Sequence, residues 1–151
     1  MDYKLAYKKA ATLCGQREYC CSEIKEKLGK WGSTPETIKK VITNLVTEKF
    51  IDENRYAGFY TRDKFNLNGW GKQKIIWNLR QKRITEDMIQ AAIKTIDQDE
   101  YEKMLLKLLQ EKSEKIKDKE LSEKKAVLIT FASSRGFEMN EIMKLLKMMK
   151  G

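Results

Sequence analysis

Five apolar residues recur three times along this chain in the same order, and that recurrence constrains its fold most strongly. Ile24, Leu28, Ile38, Ile42 and Leu45 return as Ile75, Leu79, Ile89, Ile93 and Ile96, each 51 positions later. They return again as Val127, Phe131, Ile142, Leu146 and Met149, at an offset of 52 for the first two and 53 for the last three. A period of this size belongs to stacked supersecondary units, each burying its apolar face against a neighbour. The repeat predicts three modules, at 1–51, 52–98 and 99–151. Such an array suits the binding of another macromolecule better than small-molecule chemistry.

Each module reads as three helices. In the first, Leu5, Ala6, Lys9, Ala10 and Leu13 form a stripe at i, i+4, i+5 and i+8 that suits an amphipathic helix. A second helix is expected from Ser22 to Trp31, ended by a left-handed Gly32, with Thr34 capping the third and Pro35 at its first position. In the second module, Tyr56, Phe59 and Tyr60 mark the first helix and are expected in the core. The stretch 66–71 is a turn-rich break, and Thr85 caps the third helix between the staple residues Ile84 and Ile89. In the third, Leu105, Leu108 and Leu109 mark the first helix, the charged tract Glu114–Glu123 follows, and Gly136 ends the second helix. Phe137 and Ile142 take the staple positions. The expected fold is all-α: three tandem three-helix, helix-turn-helix-like repeats in an elongated, curved array.

Composition agrees with this class. The 151 residues are 35% charged and 41% apolar, with one proline. No apolar run reaches the roughly 20 residues of a membrane span, and the N-terminus lacks the pattern of a signal peptide. The expectation is a cytoplasmic monomer with reduced cysteines at 14, 20 and 21.

The chain has no histidine, which removes His-based general bases, Ser-His-Asp constellations and the usual zinc sets. The three cysteines lack a Cys-x-x-Cys spacing and a fourth ligand, so no metal or other cofactor is expected. The acidic pairs Asp52-Glu53 and Glu86-Asp87 sit where carboxylates favour a helix start, and no phosphate loop or nucleophile elbow is present.

Charge is the positive signal. Net charge is +9, and residues 55–83 hold eight basic side chains against one acid, Asp63. These are Arg55, Arg62, Lys64, Lys72, Lys74, Arg80, Lys82 and Arg83. Such a segment attracts phosphates or an acidic protein surface. Aromatic residues interleave with it, and Trp70, placed in the loop, is the best exposed candidate for stacking on a base. The tight turn before each third helix also fits a DNA reader. The third helix of module two, however, offers Glu86, Asp87, Gln90 and Lys94 rather than a face of Arg, Asn and Gln.

Several stretches, in order and spacing, resemble the RecX family of bacterial recombinase regulators. They are Arg17-Glu18-Tyr19, Ser22-Glu23-Ile24 through Leu28, Phe50-Ile51-Asp52-Glu53 and Arg55-Tyr56-Ala57. Further on come Gly69-x-Gly71-x-x-x-Ile75, Leu79-Arg80-Gln81-Lys82 and Arg135-Gly136-Phe137. The resemblance implies three tandem three-helix repeats and no enzymatic activity. It also implies a partner, the RecA recombinase filament on single-stranded DNA, whose strand exchange, ATP hydrolysis and co-protease activity such proteins dampen. Single- or double-stranded DNA, bound without sequence preference, is a further expected partner, and a direct helix-turn-helix DNA-binding role is the alternative. The expected contact residues are Arg17, Arg55, Arg62, Lys64, Lys72, Lys74, Arg80, Lys82 and Arg83. The chain departs from the family at Arg83, where glycine is common, and at Glu138, where serine is common. A left-handed backbone at Arg83 would cost up to about 1 kcal/mol relative to glycine.

Overall fold

The structure, a computed structural model, describes residues 1–149; the last two residues of the third module lie outside them. The described residues form nine helices and no strand: α1 (Tyr3–Gln16), α2 (Cys21–Lys30), α3 (Pro35–Thr47), α4 (Glu53–Asn66), α5 (Lys72–Gln81), α6 (Glu86–Ile93), α7 (Gln98–Lys115), α8 (Leu121–Ser134) and α9 (Met139–Met149). No helix among them is long and apolar enough to cross a membrane.

Local chemistry sets the boundaries. The Asp2 carboxylate accepts from the Leu5 N–H at 2.9 Å at the start of α1, and Thr34 accepts from Thr37 at 3.2 Å ahead of Pro35. Asp97 accepts from Glu100 at 3.1 Å at the start of α7. The turn that ends each second helix needs a left-handed residue: Gly32 (φ 85°), Arg83 (φ 65°) and Gly136 (φ 97°) occupy it in succession. The strain expected at Arg83 is therefore present, because its Cβ crowds a backbone that glycine adopts freely.

The chain divides into two units. The first holds Met1–Tyr60 and Leu79–Gln90; the second holds Thr61–Asn78 and the chain from Ala91 onward. In the first, α1, α2 and α3 pack together around Ala6, Ala10, Ile24, Leu28, Val41 and Leu45, all fully buried. In the second, α7, α8 and α9 pack together, and Tyr101 lies between the rings of Phe65 (5.8 Å) and Phe137 (5.1 Å).

The third module corrects the apolar register. Leu128 and Ala132 are buried on α8, whereas Val127 and Phe131 are half-buried. Ile75 and Leu79 therefore map onto Leu128 and Ala132, and the offset is 53 throughout. Two aromatic expectations also change: Tyr56 is buried, but Phe59 is 43% exposed, and Trp77 (60% exposed) presents more surface than the half-buried Trp70.

Successive modules join by one plan, seen once inside each unit. In the first, the start of α2 meets the module that follows: the Cys21 N–H donates to Glu53 at 2.9 Å and the Ser22 hydroxyl to the Lys82 carbonyl at 2.8 Å. In the second, the start of α5 does the same. The Lys72 N–H donates to the Tyr101 hydroxyl at 2.9 Å, the Gly71 N–H to the Arg135 carbonyl at 2.7 Å, and the Gln73 N–H to the Gly136 carbonyl at 3.0 Å. Each junction satisfies orphan N–H groups of a helix N-terminus that would otherwise be buried unpaired.

Candidate functional site

The nine expected contact residues fall in two chemically different settings. In the first unit four of the five are paired with acids that lie outside residues 55–83. Arg55 donates to Glu18 at 2.6 Å, Lys82 to Glu23 at 3.1 Å, and Arg80 grips the Glu86 carboxylate with two nitrogens. Arg17 lies 3.9 Å from Glu23 and stacks on the Tyr19 ring at 3.7 Å. Arg83 is exposed on its left-handed turn. The near-absence of acids within residues 55–83 thus misstates the field of this unit, because its counter-charges arrive from elsewhere in the chain.

Glu23 is the hub of that network. Its carboxylate accepts from the Cys20 N–H at 3.1 Å, from Lys82, and from the Tyr56 hydroxyl at 3.3 Å. Burial opposes its charge, but the Cys20 amide, Lys82 and Arg17 outweigh burial and hold its pKa below the ordinary carboxylate value. The thiols nearby are poor nucleophiles. Burial raises Cys14 and Cys20, and burial beside Glu53 pushes Cys21 up to about 12.

The second unit is different. Lys64 and Lys74 place their ammonium groups over the Trp70 ring at 4.9 Å and 4.6 Å, and Lys72 lies over Tyr101 at 4.6 Å. Lys112 and Arg135 lie over the Phe131 ring at 5.5 Å and 5.0 Å. Two adjoining grooves share Lys74 and Ser134. One, of about 550 Å³, runs between Lys74 on α5, Lys112 on α7 and the α8 face carrying Thr130 and Phe131. The other is lined by Trp70, Trp77 and the end of α8 at Ser133 and Gly136. Neither contains a carboxylate in its lining among the described residues. Arg62 belongs to the same unit and is exposed on α4.

The structure therefore gathers Lys64 and Lys74 at Trp70 and joins them to Trp77, one of the interleaved aromatics, and to three groups outside the expected contact set: Lys112, Phe131 and Arg135. The available signal was the Arg135-Gly136-Phe137 triplet, since Gly136 brings that turn against Lys74. A Cβ on Gly136 would lie 2.4 Å from Lys74 Cβ. Cations clustered on ring faces beside hydroxyls, with no described carboxylate in the lining, give this surface a positive potential.

Two family models match the chain: the first three-helix domain of RecX over residues 6–45, and its second three-helix domain over residues 52–93. The regulatory protein RecX of Pelodictyon phaeoclathratiforme is 29% identical over 142 residues, covering 93% of this chain and 86% of that protein. Its counterpart in Prosthecochloris aestuarii is 31% identical over 96 residues, which is 64% of either chain. The chain spans just over half the length of the relatives it matches in Clostridium perfringens and Clostridium tetani. A crystal structure of regulatory protein RecX superposes with a TM-score of 0.89 at 20% identity, over 96% of this chain and 71% of that one. That likeness is one of fold.

Proposed function

The chain belongs to the RecX family of regulatory proteins, and from this we propose that it binds the RecA recombinase filament on single-stranded DNA and lowers its activity. Acting without an active site in the cytoplasm, it would work by occupancy. A modular protein held along a filament interferes with strand exchange, ATP hydrolysis and co-protease partners while it stays bound.

The observation that carries this reading furthest is the pair of adjoining grooves in the second unit, without a carboxylate in the described lining, where Lys74 lies over Trp70 and Lys112 and Arg135 lie over Phe131. Its cations suit phosphates and its rings suit unpaired bases, so we assign it to the nucleic acid that the filament carries. The paired cations of the first unit contribute less, because their fields are cancelled at short range.

A base-reading helix-turn-helix protein is the weaker alternative. The third helix of module two, α6, opens with Glu86 and Asp87, which would face phosphates with like charge. The deciding experiment titrates the protein into RecA, DNA and ATP, with both proteins from one host, against preformed and growing filaments. Inhibition of ATP hydrolysis and strand exchange at less than one copy per recombinase subunit is expected. No effect at saturating excess would refute the proposal.

A further inference from the structure

A second recess in the same unit has a different chemistry. It lies between the end of α7, the start of α8 and the face of α9, and holds about 210 Å³. Its walls are aliphatic: Leu121, Leu128, Met143, Leu146 and Met149. Its rim carries Lys124, Lys125 and Lys147, and no carboxylate lines it among the described residues. The acids adjoining the lining in sequence, Glu114 at the end of α7 and Glu120 and Glu123 at the start of α8, are not among the lining residues. Leu121 is 66% exposed at the mouth.

These features select among ligand classes. The volume falls below the roughly 300–1,000 Å³ of small-molecule sites. The walls contain no aromatic ring, so bases have nothing to stack on, in contrast to the groove at Trp70. The apolar residues line a cleft rather than a projecting ridge, which suits inserted side chains better than a lipid surface. The described residues include no strand, so there is no sheet edge to extend. What remains is a helix presenting aliphatic anchors at i, i+3, i+4 and i+7, with methionines as adaptable walls. Three rim lysines favour carboxylates on its flanks.

We propose that this cleft docks an acidic amphipathic helix of a partner protein, leucines inserted between α8 and α9 and carboxylates paired with Lys124, Lys125 and Lys147. The proposal is independent of the nucleic-acid reading, since the two recesses share no lining residue.

The test uses fluorescence anisotropy of the full chain with a labelled synthetic helix, its leucines at i, i+3, i+4 and i+7 and its flanks glutamate. Saturable binding in the range of roughly 1–100 µM is expected. A glutamine-flanked peptide should bind at least about tenfold more weakly. The variant K124E/K125E/K147E should lose binding by a similar factor with unchanged circular dichroism. A second variant, Met143→Glu, blocks the cleft without touching the rim. Equal binding of the glutamine peptide, or unchanged binding by a folded triple variant, overturns the proposal. So does failure of the glutamate peptide to bind while vesicles of phosphatidylcholine and phosphatidylserine do, which would make the surface a lipid contact. Displacement of the peptide by a single-stranded oligonucleotide also overturns it, because that would place the peptide in the other groove.

Discussion

Gly71 and Gly136 meet backbone to backbone: a Cβ on Gly71 would fall 2.4 Å from the Gly136 carbonyl carbon and 2.4 Å from the Phe137 nitrogen. The Gly71 N–H donates to the carbonyl just before, that of Arg135, at 2.7 Å. Rigid backbone on both sides leaves no flexible side chain to yield. Gly71→Ala should therefore destabilise the second unit by about 3 kcal/mol. Gly15→Ala is the control, since a Cβ there meets nothing within 4 Å inside α1. It should stabilise by about 0.5–1 kcal/mol. Urea denaturation of both variants measures the contrast, and equal effects would contradict a close backbone junction at Gly71.

Arg83 occupies the turn position held by Gly32 and Gly136 in the other modules, at φ 65°. Arg83→Gly should raise stability by up to about 1 kcal/mol, the cost of a left-handed side-chain-bearing residue. Thermal unfolding reads the sign directly. An unchanged or lowered midpoint would mean that the added chain entropy of glycine outweighs the relieved strain.

Glu23 ties the first unit together through charge. Its pKa is lowered in the folded state, so its stabilisation is present above the unfolded carboxylate value of about 4.3. It is lost as pH falls through the lower folded value. Glu23→Gln should cost about 1–2 kcal/mol at neutral pH, the worth of hydrogen bonds to a part-buried charge. The difference from the parent protein should shrink below about pH 4. Denaturation at pH 7 and at the acid end checks both. A penalty independent of pH would assign the effect to packing.

How much of the fold and of the groove was legible in the sequence depended on range. Caps and turns are local chemistry, so Thr34-Pro35, Gly32 and Gly136 can be read from their immediate neighbours alone. The buried face of α8 could not. Residues 126–132 read Ala-Val-Leu-Ile-Thr-Phe-Ala, apolar nearly all round, and periodicity cannot choose a face in such a run. Packing chose Leu128 and Ala132. The ion pairs were hidden for the same reason in charge: Glu18 lies 37 residues from Arg55, and Glu23 lies 59 from Lys82. A window that counts acids near a basic segment cannot see either. The groove cations Lys112 and Arg135 were missed because residues 99–151 hold twelve basic side chains against ten acids, and only the fold turns the two onto one surface with Lys74.

That contrast between paired and clustered cations yields the functional prediction. Arg55 and Arg80 are held by Glu18 and Glu86, so a neighbouring phosphate sees little of their charge. Lys74 and Lys112 line a groove without carboxylates. Two pairs of charge reversals separate the cases. Lys74→Glu with Lys112→Glu should weaken binding to single-stranded DNA by roughly 10–100-fold and lower the salt slope by about 1.4, two phosphate contacts at about 0.7 each. Arg55→Glu with Arg80→Glu should change affinity by less than about threefold, as expected for cations already engaged. Both pairs lie off the buried core, so helical content should persist in each. Binding measured across a salt series decides the matter. If the second pair proves the more damaging, the contact surface belongs to the first unit, and the groove at Trp70 has another use.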